Sequence, residues 1–180
     1  MKLTNLYTIP YKGLKDGNHE FQFEIGDRFF DGFEESEIHH AALNVIIGAA
    51  KSGTIMRLSI NIEGTVGVEC DRCLASLSCP ITFEGNVWVK TGSSDENEEE
   101  GNEELIIVPA EQGELNLWQY LYDSIALSLP IQRIHLGKPG KTNGCDAEVI
   151  RKLNEHLIIE TEIAVDPRWN ALLKLKGNIE

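Results

Sequence analysis

The residues of this sequence that could bind a metal through sulfur or imidazole nitrogen include its four cysteines and His135. Cys70 and Cys73 form a C-x-x-C motif in the stretch CDRCLASLSC. Such a motif supplies two of the four ligands of a tetrahedral zinc ion. The stretch PIQRIHLGKPGKTNGC contains the other two, His135 and Cys145. The sequence therefore predicts a Cys₃His zinc site that joins two distant parts of the chain, formed by Cys70, Cys73, His135 and Cys145.

A structural interpretation of the same four residues stays open. In this interpretation Cys70 is a core cysteine at a strand end and Cys73 is a turn residue. His135 is then a loop residue, and Cys145 is the residue before a helix cap. Cys79 fits this interpretation best, because it alternates in phase with the apolar residues Ile81 and Phe83. We therefore expect Cys79 to lie outside any metal site.

Redox or nucleophilic chemistry is the second alternative for the C-x-x-C motif. A redox-active pair of this type has its first cysteine at a helix N-terminus, where the helix dipole lowers the thiol pKa. Here a strand is predicted after the motif, and Asp71 adds a negative charge beside the thiols. A small zinc- or thiol-dependent enzyme that uses Cys70 and Cys73 is thus the alternative to a non-enzymatic protein. The sequence has no phosphate-binding glycine loop and no G-x-S-x-G or H-E-x-x-H motif.

The elements that would position these residues begin with strands. Apolar residues alternate with polar ones in four segments, which predicts half-buried antiparallel strands over 20–25, 41–47, 55–64 and 77–90. The phase of the third segment continues as far as Cys70. The C-x-x-C motif is therefore expected at the join between two long strands, at the end of a hairpin.

The second half changes to helical periodicity. We predict one more strand at 105–109, followed by helices at 116–129, 146–157 and 167–175. Asn116 and Asp146 suit the N-caps of the first two helices. Strands followed by helices predict an α+β fold, with a mainly antiparallel sheet or partial barrel in the first half and the helices of the second half packed on it.

The length of the chain predicts one domain, and its charge shows that this domain is acidic. A chain of 180 residues predicts a single domain, 1–180. We expect a strand-rich half at 1–91, an acidic flexible loop at 92–104 and a helical half at 105–180. Asp and Glu number 29 against 16 Lys and Arg, which gives a net charge of −13. The chain as a whole is repelled by nucleic acid and attracts basic partners.

Composition also predicts the compartment. No apolar run approaches the length of a membrane span, and the N-terminal residues MKLTNLYTIPYKG contain no signal-peptide core. Four cysteines are too few for a secreted disulfide scaffold. We therefore expect a cytoplasmic protein without a membrane partner.

The order of the motifs resembles that of the bacterial YceD family, the large ribosomal RNA subunit accumulation proteins. A C-x-R-C-L motif ends a valine-rich strand, and it is followed by an acidic insertion, a helix ending in ALSLP, the stretch PIQRIH, a cysteine and a terminal DPRWNALLKL. The resemblance covers residues 56–176. Its signature positions here are Cys70, Arg72, Cys73, Leu74, Leu129, Pro130, His135, Cys145, Asp166, Pro167, Arg168 and Trp169.

This resemblance implies a non-enzymatic, cytoplasmic role in the accumulation or processing of large-subunit ribosomal RNA, during assembly of that subunit. Some relatives have a fuller cysteine-rich segment after the helix, whereas this chain has only Cys145 there, so a zinc site would need His135. The expected partner is a basic large-subunit ribosomal protein or an assembly intermediate. Contact with partner or ribosomal RNA would use Arg72, Arg133, Arg168 and Trp169.

Overall fold

A computed structural model describes residues 6–92, 104–109, 111–135 and 144–157 of the chain. The chain divides into two compact units, Met1–Cys145 and Asp146–Glu180. In chain order the described elements are β1 (Thr8–Pro10), β2 (Gly17–Gly26), α1 (Asp27–Phe30), β3 (His40–Ser52), β4 (Ile55–Glu69), β5 (Ser76–Thr91), β6 (Glu104–Val108), β7 (Glu114–Asn116), α2 (Trp118–Leu127) and α3 (Ala147–His156).

The first unit is built on a five-stranded sheet in the order β2-β3-β4-β5-β6. Strands β2 to β5 pair antiparallel with their chain neighbours, and β6 pairs parallel with β5. Strands β1 and β7 form a separate antiparallel pair. The α+β class is confirmed, with a mixed sheet. Within the described residues β2 and β6 are edge strands that do not pair with each other, so the sheet there is open and not a barrel.

The predicted alternation sets the buried face of the sheet. In β4 the side chains of Met56, Leu58, Ile60 and Ile62 are fully buried, and the polar residues between them are exposed. The same phase leads to Cys70, which is fully buried one residue beyond the strand. Strand β3 is longer than predicted, because its last residues pair with both β2 and β4.

Gly64 lies where the backbones of β3 and β4 leave no room for a side chain. It pairs with Leu43 in the antiparallel register and has a φ of +149°. A Cβ atom built on Gly64 would lie 2.2 Å from the carbonyl oxygen of Ala42. Any side chain at this position would therefore force the two strands apart.

Helix α2 begins two residues later than predicted, because Asn116 is taken up by the β1–β7 pair. Asn116 is not the N-cap, although its side-chain oxygen still accepts a hydrogen bond from the Trp118 N–H at 2.8 Å. Leu121 and Ile125 are fully buried, in the same apolar cluster as the strand residues.

In the second unit, Asp146 caps α3 as predicted, since its carboxylate accepts hydrogen bonds from the N–H groups of Glu148 at 2.8 Å and Val149 at 3.3 Å. The predicted helix at 167–175 and residues 93–103 of the acidic segment lie outside the described residues. That all of the helices predicted in the second half pack on the sheet stays a prediction. No helix within the described ranges has the length and apolar character that crossing a membrane requires.

Candidate metal centre

The turn between β4 and β5 gathers four side chains that can bind a metal. One ligand atom from each of Cys70, Cys73, His135 and Cys145 lies within 4.8 Å of the other three. The Sγ atoms of Cys70 and Cys145 are 4.0 Å apart. The Nδ1 atom of His135 lies 3.6 Å from the Sγ of Cys73 and 3.7 Å from the Sγ of Cys145. All four residues belong to the first unit of the chain.

Two backbone hydrogen bonds and one strained residue shape the C-x-x-C turn. The N–H of Cys70 donates to the carbonyl of Ala75, and the N–H of Leu74 donates to the carbonyl of Cys70, both at 2.9 Å. Leu74 has a φ of +59°, in the left-handed region that non-glycine residues seldom occupy. The chain thus reverses within a few residues, and both cysteine side chains are buried inside the turn.

Asp71 and Arg133 hold the second ligand segment against this turn. The N–H of Asp71 donates to the carbonyl of Arg133, and the N–H of Arg133 donates to a carboxylate oxygen of Asp71, both at 2.7 Å. The guanidinium of Arg133 also lies 3.4 Å from the Asp71 carboxylate. This reciprocal contact fixes the chain two residues before His135 and so brings the imidazole to the cysteines.

The orientation of His135 follows from its second ring nitrogen. Nε2 lies 3.2 Å from the carbonyl oxygen of Ser76, which can only accept a hydrogen bond. The proton of the neutral ring is therefore on Nε2, and the lone pair of Nδ1 points towards the cysteines. A carbonyl partner of this kind is typical of histidines that bind metals.

Burial and local hydrogen bonds shift the pKa values of the candidate ligands. Burial alone would raise the pKa of Cys70, but hydrogen bonds with the backbone of Arg72, Cys73 and His135 outweigh it and lower that pKa to about 6. The hydrogen bond with Cys70 raises the pKa of His135, and burial raises the pKa of Cys145. The site thus already stabilises the thiolate of Cys70, and a thiolate is the form of cysteine that binds metals.

Cys79 is not part of this group. It lies opposite Val66 in the β4–β5 pairing and is buried in the hydrophobic core. Burial raises the pKa of its thiol, which keeps it neutral. Cys79 therefore offers a natural control for experiments on the other three cysteines.

The residues predicted to bind a partner are in different surroundings. Arg72 is exposed in the turn. Arg133 is only 21% exposed and forms ion pairs with Glu37 and Asp71. Arg168 and Trp169 lie outside the described residues. A partner-binding role for any of the four stays a prediction.

An acidic groove adjoins the cysteine turn, and sequence reasoning missed it. Its lining includes the exposed Leu74, the ion-paired Arg133 and five carboxylates, which are those of Glu34, Glu35, Glu37, Glu69 and Asp71. Glu34, Glu35 and Glu37 form a local run of acids, but the groove arises only where this run meets two other segments of the chain. Ser76 could not be found from the sequence either, because its contribution to the site is a backbone carbonyl, which every residue has.

Comparison with known proteins finds one protein family whose sequence model matches most of this chain. A family model described as Large ribosomal RNA subunit accumulation protein YceD matches residues 58–176. That range includes all four candidate ligands and the hairpin that positions the first two. Neither a curated protein nor a solved structure matches the chain.

Proposed function

Because the chain belongs to the YceD family of large ribosomal RNA subunit accumulation proteins, we propose that it supports the accumulation and processing of large-subunit ribosomal RNA in the cytoplasm. It does so by binding during assembly of the large subunit, without catalysing a reaction. The observation that carries this proposal is the family match over residues 58–176, two thirds of the chain.

Charge supports a basic ribosomal protein, or an assembly intermediate that exposes one, as the direct partner. The chain has a net charge of −13, which disfavours approach to bare RNA and favours approach to a basic surface. The acidic groove next to the cysteine turn provides a negatively charged surface that a basic partner could contact. The charge of Arg133 is balanced by Glu37 and Asp71, so among the described candidates Arg72 is the one exposed arginine that could touch RNA.

Burial supports a binding role over the thiol-dependent enzyme. A thiol with a pKa of about 6 has the ionisation that a nucleophilic cysteine needs. However, the side chain of Cys70 is 0% exposed and that of Cys73 is 6% exposed. A substrate would reach either sulfur only if the turn opened.

Depletion of the protein tests the proposed function. We expect large-subunit particles on a sucrose gradient, and large-subunit RNA relative to small-subunit RNA, to fall after depletion. A plasmid copy of the unmutated chain should restore both. An unchanged ratio of the two RNAs in fully depleted cells would overturn the proposal.

Alkylation separates binding from thiol catalysis. Brief treatment of the native chain with iodoacetamide should leave Cys70 and Cys73 unmodified, and the same treatment after denaturation should modify both. Peptide mass spectrometry gives the extent at each cysteine. Rapid modification of Cys70 in the native chain would favour the enzyme instead.

A further inference from the structure

We propose that Cys70, Cys73, His135 and Cys145 bind one zinc ion in a closed, structural site. The inference concerns the architecture of the chain and does not depend on the function proposed above. It rests on the distances between the ligand atoms, their chemistry and the backbone that orients them.

Three of the six distances between the ligand atoms are close to those of a zinc tetrahedron, and the others are at most 4.8 Å. Zinc–sulfur bonds of about 2.3 Å and zinc–nitrogen bonds of about 2.0–2.1 Å place sulfur atoms about 3.8 Å apart, and sulfur and nitrogen about 3.5 Å apart. The corresponding distances here are 4.0 Å between the sulfurs of Cys70 and Cys145, and 3.6 and 3.7 Å from Nδ1 of His135 to the two sulfurs beside it. A zinc ion at the centre would therefore draw the more distant ligand atoms together by about 1 Å or less.

The type of ligand favours zinc over hard metal ions. Thiolates and imidazole are soft or borderline ligands, which favour zinc over magnesium or calcium. The carbonyl of Ser76 leaves the lone pair of His135 on Nδ1, on the side of the three cysteines. The three cysteine side chains are buried, as expected for a site whose ligands are shielded from water.

Four protein ligands leave no open coordination position, so the ion has a structural role and not a catalytic one. It would connect the β4–β5 turn to His135, which lies 62 residues after Cys73, and to Cys145, which lies 75 residues after Cys70. The reciprocal contact between Asp71 and Arg133 joins the same two segments. Zinc binding therefore contributes directly to the free energy of folding, because the unfolded chain cannot assemble the site.

Metal analysis of the full chain tests this inference. After purification under reducing conditions without chelator, we expect about one zinc ion per chain by elemental analysis. Cys73→Ser and Cys145→Ser should each bind less than about half of that amount, since three ligands hold structural zinc poorly. Cys79→Ala is the matched control, a buried cysteine outside the group, and should keep the full amount.

X-ray absorption at the zinc edge of the unmutated chain keeps the test independent of whether the variants fold. We expect three sulfur neighbours at about 2.3 Å and one nitrogen at about 2.0 Å. Three results would each overturn the inference: a chain without zinc even after addition of zinc under reducing conditions, a shell that lacks nitrogen, or a loss of zinc in Cys79→Ala equal to that in Cys73→Ser. A Cys70–Cys145 disulfide in the chain as isolated, found by mass spectrometry without reduction, would overturn it as well.

Discussion

At the scale of single residues, Asp71 does more than separate two cysteines. The sequence predicts that its negative charge disfavours a redox role for the motif, yet the pKa of the neighbouring Cys70 is lowered to about 6. In the folded chain the same carboxylate accepts a hydrogen bond from the backbone of Arg133 and pairs with its guanidinium. Asp71 therefore links the turn to the segment that contains His135, and it does so without being a ligand itself.

Asp71→Ala should lower the free energy of unfolding by about 1–2 kcal/mol, because it removes a charged hydrogen bond and one partner of Arg133. Arg72→Ala should change it by less than about 0.5 kcal/mol, since Arg72 is exposed and alanine keeps its backbone N–H. Urea denaturation of both variants and of the unmutated chain measures the difference. Equal stabilities of the two variants would mean that the Asp71 contact contributes nothing.

At the scale of elements, the close approach of β3 and β4 depends on Gly64. Gly64→Ala should destabilise the chain by about 2–4 kcal/mol, because its Cβ would collide with the carbonyl of Ala42 and because alanine disfavours a φ of +149°. Thermal unfolding followed by circular dichroism provides the measurement.

Gly26→Ala is the matched control in the same sheet. The nearest atom to its built Cβ is the carbonyl oxygen of Ala41, at an ordinary 3.9 Å. We expect this variant to unfold within a few degrees of the unmutated chain. A Gly64→Ala chain that unfolded together with Gly26→Ala would show that the two strands can separate without cost.

The elements also show which features the sequence could predict. Alternation is a local signal, and it correctly predicted the buried face of β4 and the position of Cys70 at its end. The parallel pairing of β6, the β1–β7 pair and the late start of α2 depend on contacts between distant segments. A pattern of a few residues carries no information about such contacts, so the sequence predicts Asn116 as a helix cap although it ends a strand.

The same distinction applies to the candidate site. The types of Cys70, Cys73, His135 and Cys145 predicted a group of four, because metal ligands come from a short list of residues. The acidic groove and the contact of Asp71 with Arg133 could not be predicted, since each brings together segments far apart in the chain. Zinc itself stays a prediction until it is measured.

At the scale of the whole molecule, net charge predicts how binding responds to salt. Association of this chain with isolated large-subunit precursor particles should weaken steadily as salt rises, because salt screens the attraction between the acidic chain and a basic partner. Co-sedimentation at several salt concentrations measures the bound fraction. Binding that is insensitive to salt would argue against a charge-driven contact.

Neutral variants locate that contact. The double variant Glu34→Gln and Glu35→Gln, in the acidic groove, should reduce affinity by about 2–10-fold, as expected for two solvent-exposed charges. The double variant Glu63→Gln and Glu84→Gln changes the net charge equally on exposed strand positions outside the groove. If both pairs reduce affinity alike, net charge matters and the groove does not.

The sheet topology has a consequence for the chain as it leaves the ribosome. Strands β2 to β5 pair with their neighbours in chain order, so they can form hairpins while synthesis continues. Cys145, however, is made 75 residues after Cys70, a delay of about 4–15 s at 5–20 residues per second. Throughout that interval the hairpin turn carries two thiols without their later partners. A nascent chain stalled at this stage is therefore more open to oxidation at this turn than the folded chain, which buries both thiols.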